Sequence, residues 1–192
     1  MKDRGPRPAR RREFRVEGLE GRNLLSRPGL GHHLTPPAVI RTDAHTVPIR
    51  GMLQGVANLG LPSIDPSTFN ATVPVTIAGS GELSHLGHVT IAGSHQTVIL
   101  ASTNYTTSLV VEGHATITAA NGDTLTLDYT GVGSRTANGF DDTFGFVITG
   151  GTGRFAGATG FGMIHSSDDP GTPTQVPFTF NLEGVISTVG SG

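Results

Sequence analysis

The chain of 192 residues contains no cysteine, no tryptophan and one lysine, Lys2, and only 15% of its residues are charged. Without cysteine there is no disulfide framework, no thiolate metal site and no thiol nucleophile. Without a lysine past position 2, no phosphate-cradling loop of the P-loop type can form. No stretch approaches the about 20 apolar residues of a membrane-spanning helix, and no apolar core of an ordinary secretory signal follows the basic start. No segment keeps helical spacing between recognisable caps. What the chain has instead is 28 glycines, many threonines and 9 phenylalanines. That balance favours an all-β protein with many turns.

Charge divides the chain. Residues 1–47 carry ten basic against five acidic residues, a surplus of five positive charges. The remainder carries only Arg50, Arg135 and Arg154 against ten acids, a surplus of seven negative charges. An acidic body without clustered Lys and Arg cannot neutralise phosphates, so no nucleic-acid partner is expected. Residues 1–46 read as a basic, disordered extension and linker, and 47–192 as the folded domain. Within the extension, Leu19, Glu20, Arg22, Leu24, Leu25 and Ser26 follow an arginine-rich prelude. They resemble the LE-x-R-x-LLS segment that opens many planctomycete exported proteins. The resemblance implies export, to the cell surface or beyond.

From position 47 the chain repeats stretches of β-type alternation ended by Gly, Asn or Asp. Strands are predicted over 47–57, 71–83, 88–100, 108–119, 124–130, 142–148, 157–165 and 176–187. The fourth sets Leu109, Val111, Ala115 and Ile117 against Glu112, His114, Thr116 and Thr118. Asn121-Gly122 tolerates the positive φ angles of a tight hairpin, which pairs the fourth and fifth strands antiparallel. Residues 131–139 and 166–173 read as loops. Eight long strands with one apolar face each predict an antiparallel sheet closed into a barrel, which also removes sticky edges.

The stretch 149–162 places six glycines around Arg154 and Phe155 between two β segments. A dinucleotide fingerprint needs a strand-to-helix turn there, so this stretch is read as a hairpin connection. Arg154 is expected to pair with Asp141, Asp142 or a carboxylate on a neighbouring loop, or else to meet an anionic or phenolic ligand at the barrel mouth. His85, His88 and His95 are too far apart along their strand for a three-histidine metal site. His165 to Asp169 holds the letters of a catalytic triad but reads as a solvated loop beside Pro170-Gly171. No metal or cofactor is expected.

Several segments together resemble an uncharacterised bacterial group similar to the allene oxide cyclase and dirigent barrels of plants. They are Gly79-Ser80-Gly81, His85-Leu86-Gly87, residues 119–125, residues 149–160 and residues 178–184. Gly150 to Phe155 match the dirigent GGTGRF element in full. The resemblance covers about residues 48–188 and implies an eight-stranded antiparallel, calycin-like barrel. No catalytic motif aligns, so no catalytic residue carries over, and one barrel hosts unrelated chemistries. With the apolar face inward, Glu112, His114 and Asp128 fall outside.

The expected function is that of an exported or surface-associated barrel, a non-catalytic small-molecule-binding or structural module. Its candidate ligand-binding residues are Arg154, Tyr129 and His114, and its candidate ligand is small and apolar or phenolic. Assembly into a homo-oligomer is a further expectation. The alternative is a cyclase or isomerase resembling allene oxide cyclase. That alternative demands an internal cavity with converging polar groups; an interior packed solid by Phe144, Phe146, Phe178 and Phe180 rules against it.

Overall fold

The computed structural model describes residues 45–137, 139–169 and 171–187. The reading of the export-type segment lies outside them. Nine strands follow in order: β1 Thr46–Leu59, β2 Ser63–Ile64, β3 Ala71–Leu83, β4 Gly87–Ile99, β5 Thr107–Ala119, β6 Thr124–Arg135, β7 Phe140–Gly151, β8 Gly160–Asp168 and β9 Gln175–Ser187. From β3 to β9 each strand pairs antiparallel with the next, and β1 pairs antiparallel with both β9 and β3. Eight strands therefore close into a barrel, and the two-residue β2 lies outside the closure, against β3. Closure leaves no long open edge.

Alternation explains the interior. Val75, Ile77, Val89, Ile91, Leu125, Leu127, Phe144, Phe146, Phe178, Phe180 and Leu182 are buried, each two residues from its neighbour in the set on the same strand. Tyr129, Phe144, Phe180 and Phe178 form an aromatic chain across the lumen, with centroid separations of 5.7, 5.9 and 4.0 Å. Contacts of this kind add about 0.5–1.5 kcal/mol per pair beyond area burial. The predicted tight hairpin is present: Gly122 has φ 87°, and its N–H donates to Ala119 O at 2.9 Å. The stretch 149–162 holds the end of β7, the β7–β8 connection over residues 152–159 with a 3₁₀ turn at Gly153–Phe155, and the start of β8.

Three expectations fail, each for a local reason. The inward face of β5 changes parity, because Glu112 adds a residue that neither neighbouring strand matches. Ser108 and Val110 are buried before this bulge, and Ala115 and Ile117 after it, while Leu109 is exposed. Second, β6 runs on to Arg135 through Gly131 and Gly133, where a loop is predicted. Third, β8 continues through Ser166 to Asp168, so the predicted solvated loop starts too early. Ser166 is buried rather than solvated.

Candidate functional site in the barrel lumen

The two ends of the barrel differ. At one end the β3–β4, β5–β6 and β7–β8 connections close over the core, with Leu86 and Phe155 buried beneath them. Arg154 sits on this end: its Nε lies 3.6 Å from Asp123 Oδ2, and its guanidinium covers the Phe155 ring at 4.7 Å. The partner is thus a neighbouring-loop carboxylate, and neither Asp141 nor Asp142. At the other end, a cavity of about 200 Å³ enters the lumen between the strand ends. Its walls include Val75, Ile77, Phe144, Val176, Phe178 and Phe180, so the interior is not packed solid.

Polar side chains converge on this apolar cavity in two sets. His95 of β4 and Tyr129 of β6 meet across β5, with His95 Nδ1 2.9 Å from Tyr129 Oη and the rings edge to face. The residue between them is Gly113, where a Cβ would stand 2.6 Å from the Tyr129 ring. Ser108 of β5 and Asp142 of β7 meet the same way across β6, Ser108 Oγ donating to Asp142 Oδ1 at 3.2 Å. Gly133 lies between them, and a Cβ there would collide with both side chains. In each case a glycine on the middle strand lets two polar groups touch over it.

Asp168 completes the site. Its Oδ2 accepts from the Phe140 N–H at 3.1 Å, and it lines the cavity together with Ser166. Burial, and then the nearby Asp168, raise the Asp142 carboxyl to about 6. Burial also raises Asp168 and the Tyr129 phenol, and it lowers the His95 imidazole to about 4. Near neutral pH the imidazole and the phenol are therefore both uncharged, and Asp142 takes up a proton at mildly acidic pH.

Of the three residues singled out by sequence, only Tyr129 lies in the lumen, where it touches His95 beside the cavity. His114 is on the outer wall, its Nδ1 2.7 Å from Asp128 Oδ1, with both side chains half or more exposed. Arg154 lies at the opposite end from the cavity. His95, Ser108, Asp142, Ser166 and Asp168 were missed. Parity carried a signal for most of them: Asp142 is in phase with Phe144 and Phe146, Ser166 with Ile164, and His95 with Val89 and Ile91. Among the described residues, no three His, Cys, Asp or Glu side chains gather to hold a metal ion. No helix among them is long and apolar enough to cross a membrane.

No protein-family model matches the chain, and no curated protein matches it. Among solved structures it is similar to a conserved protein of unknown function from Rhodopseudomonas palustris, at 10% identity and a TM-score of 0.43. The alignment covers 70% of this chain and 96% of that one.

Proposed function

We propose that the barrel binds a small, largely apolar molecule in its lumen. The observation that carries this reading is the cavity: apolar walls, a few convergent polar groups, and an approach at one end of a rigid barrel. Its volume of about 200 Å³ somewhat exceeds the ~150 Å³ of an apolar cavity known to take up benzene. The ligand is then about the size of a substituted benzene ring. Methyl NMR with toluene and phenol tests it. Shifts are expected at Val75, Ile77 and Val176, and none at Val147 on the outer wall. An unchanged spectrum with both compounds at saturation would overturn the reading.

One observation favours a catalytic version. Asp142 is raised to about 6 and His95 lowered to about 4, so a neutral acid and a neutral base face one cavity at mildly acidic pH. Groups pushed apart in this way suit proton-transfer isomerisation or cyclisation. Catalysed cyclisation of an unsaturated epoxide, lost in His95→Asn, is the expected result; a rate equal to that in buffer rejects this version. Export rests on the N-terminal motif alone. A reporter fused to residues 1–46 is expected to leave the cytosol of a planctomycete host, and full retention there rejects it.

A further inference from the structure

The registers place four residues on one inward-facing rung: Ser108 opposite Gly133, Gly133 opposite Asp142, and Asp142 opposite Ser166. Asp168 follows two residues after Ser166, on the same face of β8 and nearer the open end. Two carboxyls and two hydroxyls thus ring the approach to an apolar hole. We propose that this ring selects a protonated primary amine carried on a small aromatic or aliphatic body, with the ammonium seated between Asp142, Asp168 and Ser166. The inference rests on the lumen-binding reading above and names the ligand class.

The two carboxyls lack a countercharge among the described residues. Buried carboxylates are normally paired, because desolvation of a lone charge is costly. Among the described residues the ion pairs are Glu82–His88, Asp128–His114 and Asp123–Arg154, on the outer wall and at the closed end. None reaches Asp142 or Asp168. Among the described residues the charges that do reach them are acidic: Asp168 and Asp141 act on Asp142, and Asp141 and Asp169 on Asp168. His95, the basic side chain in the cavity wall, is held neutral by burial near neutral pH. An ammonium ion supplies the absent charge, and an anionic ligand would be repelled.

Ser166 points to the same ligand on grounds other than charge. Ser166 is 6% exposed and lines the cavity, yet its hydroxyl has no hydrogen-bond partner among the described residues. No side-chain oxygen or nitrogen among the described residues is both buried and unpartnered, so this hydroxyl is open to the cavity and available to a ligand. An ammonium donates three hydrogen bonds, enough for both carboxyls and this hydroxyl. Phe144 lies one rung deeper than Asp142, Phe178 and Phe180 stand opposite Asp168 and Ser166, and Phe140 lies at the mouth, apolar walls that suit an apolar or aromatic body. A calcium ion fits less well, since it takes six to eight oxygen ligands and leaves the apolar depth unused.

Calorimetry on the full chain near neutral pH provides the test, with benzylamine, benzyl alcohol and calcium chloride as probes. Benzylamine is expected to bind about tenfold more tightly than benzyl alcohol, as charge-assisted hydrogen bonds are worth more than neutral ones. Asp142→Asn, a substitution of like size, is expected to remove most of that difference. Its circular dichroism and urea unfolding transition report separately that the variant is folded. Asp168→Asn is expected to act in the same direction. Equal affinity for amine and alcohol overturns the amine assignment while leaving lumen binding intact. So does an amine preference that survives in both variants, or displacement of the amine by calcium. Failure of both aromatic probes to bind overturns the two readings together.

Discussion

At the scale of single residues, Asp142 and His95 occupy the same cavity but respond to pH in opposite senses. The Asp142 carboxyl titrates near 6 in the folded chain, against 3.8 for a free aspartate. The folded state therefore holds this proton more tightly. The associated stability is fully present below about pH 4 and is lost as pH rises to about 6. His95 titrates near 4 when folded, against 6.5 when free, so its contribution is present above pH 6.5 and lost as pH falls through 4. The two trends offset each other across that window. Asp142→Asn removes one of them. Its stability relative to the parent chain is expected to rise from near zero at about pH 4 to roughly 2 kcal/mol at about pH 7. Urea unfolding at the two pH values measures this, and an equal difference at both would refute the account. Asp142 was legible as an inward position, since it falls in phase with Phe144, Phe146 and Ile148. The sequence reading instead offers it as a partner for Arg154, which the structure pairs with Asp123 at the other end of the barrel. Burial of a charge is decided by what lies across the barrel, which a strand read alone does not display.

At the scale of elements, β5 organises the site. Glu112 has φ 54°, the left-handed region, and the extra residue there turns Ser108 and Val110 inward at one end and Ala115 and Ile117 inward at the other. The bulge also brings Gly113 between His95 and Tyr129. Glycine is the residue that usually occupies this conformation in a bulge. Glu112→Gly is accordingly expected to stabilise the fold by about 0.5–1 kcal/mol, and Glu112→Val to destabilise it by more than about 1 kcal/mol. Chemical denaturation reads both, and a valine variant as stable as the glycine variant would contradict the assigned strain. A glutamate gives no warning of a bulge, so the sequence reads as a single alternation through all of β5. The hairpin at Asn121-Gly122 was legible because its residue types state their φ angles. The inward polar rung was not, because Ser108 lies before the parity change and Ser166 beside a turn signal at Pro170-Gly171.

At the scale of the whole molecule, closure of eight strands separates a sealed end from an open one, and this separation decides what Arg154 does. Sequence made Arg154 conspicuous, a lone cation inside the most glycine-rich stretch of the chain. The barrel explains that stretch as a connection folding over the closed end, where the Gly153–Phe155 turn buries Phe155 and Arg154 lies across it toward Asp123. The Arg154–Asp123 contact is long and partly wet, so its expected worth is within the 0–1 kcal/mol of a surface ion pair. The guanidinium also covers an aromatic ring, which adds a stacking contribution of about 0.5–1 kcal/mol at an exposed site. Arg154→Ala is therefore expected to lower stability by about 1 kcal/mol. Its affinity for toluene or benzylamine in the lumen is expected to stay within about twofold of the parent, less than 0.5 kcal/mol. Denaturant unfolding combined with calorimetry separates the two effects. An affinity loss tenfold or greater, with stability unchanged, would return Arg154 to the ligand site and place that site at the Arg154 end of the barrel.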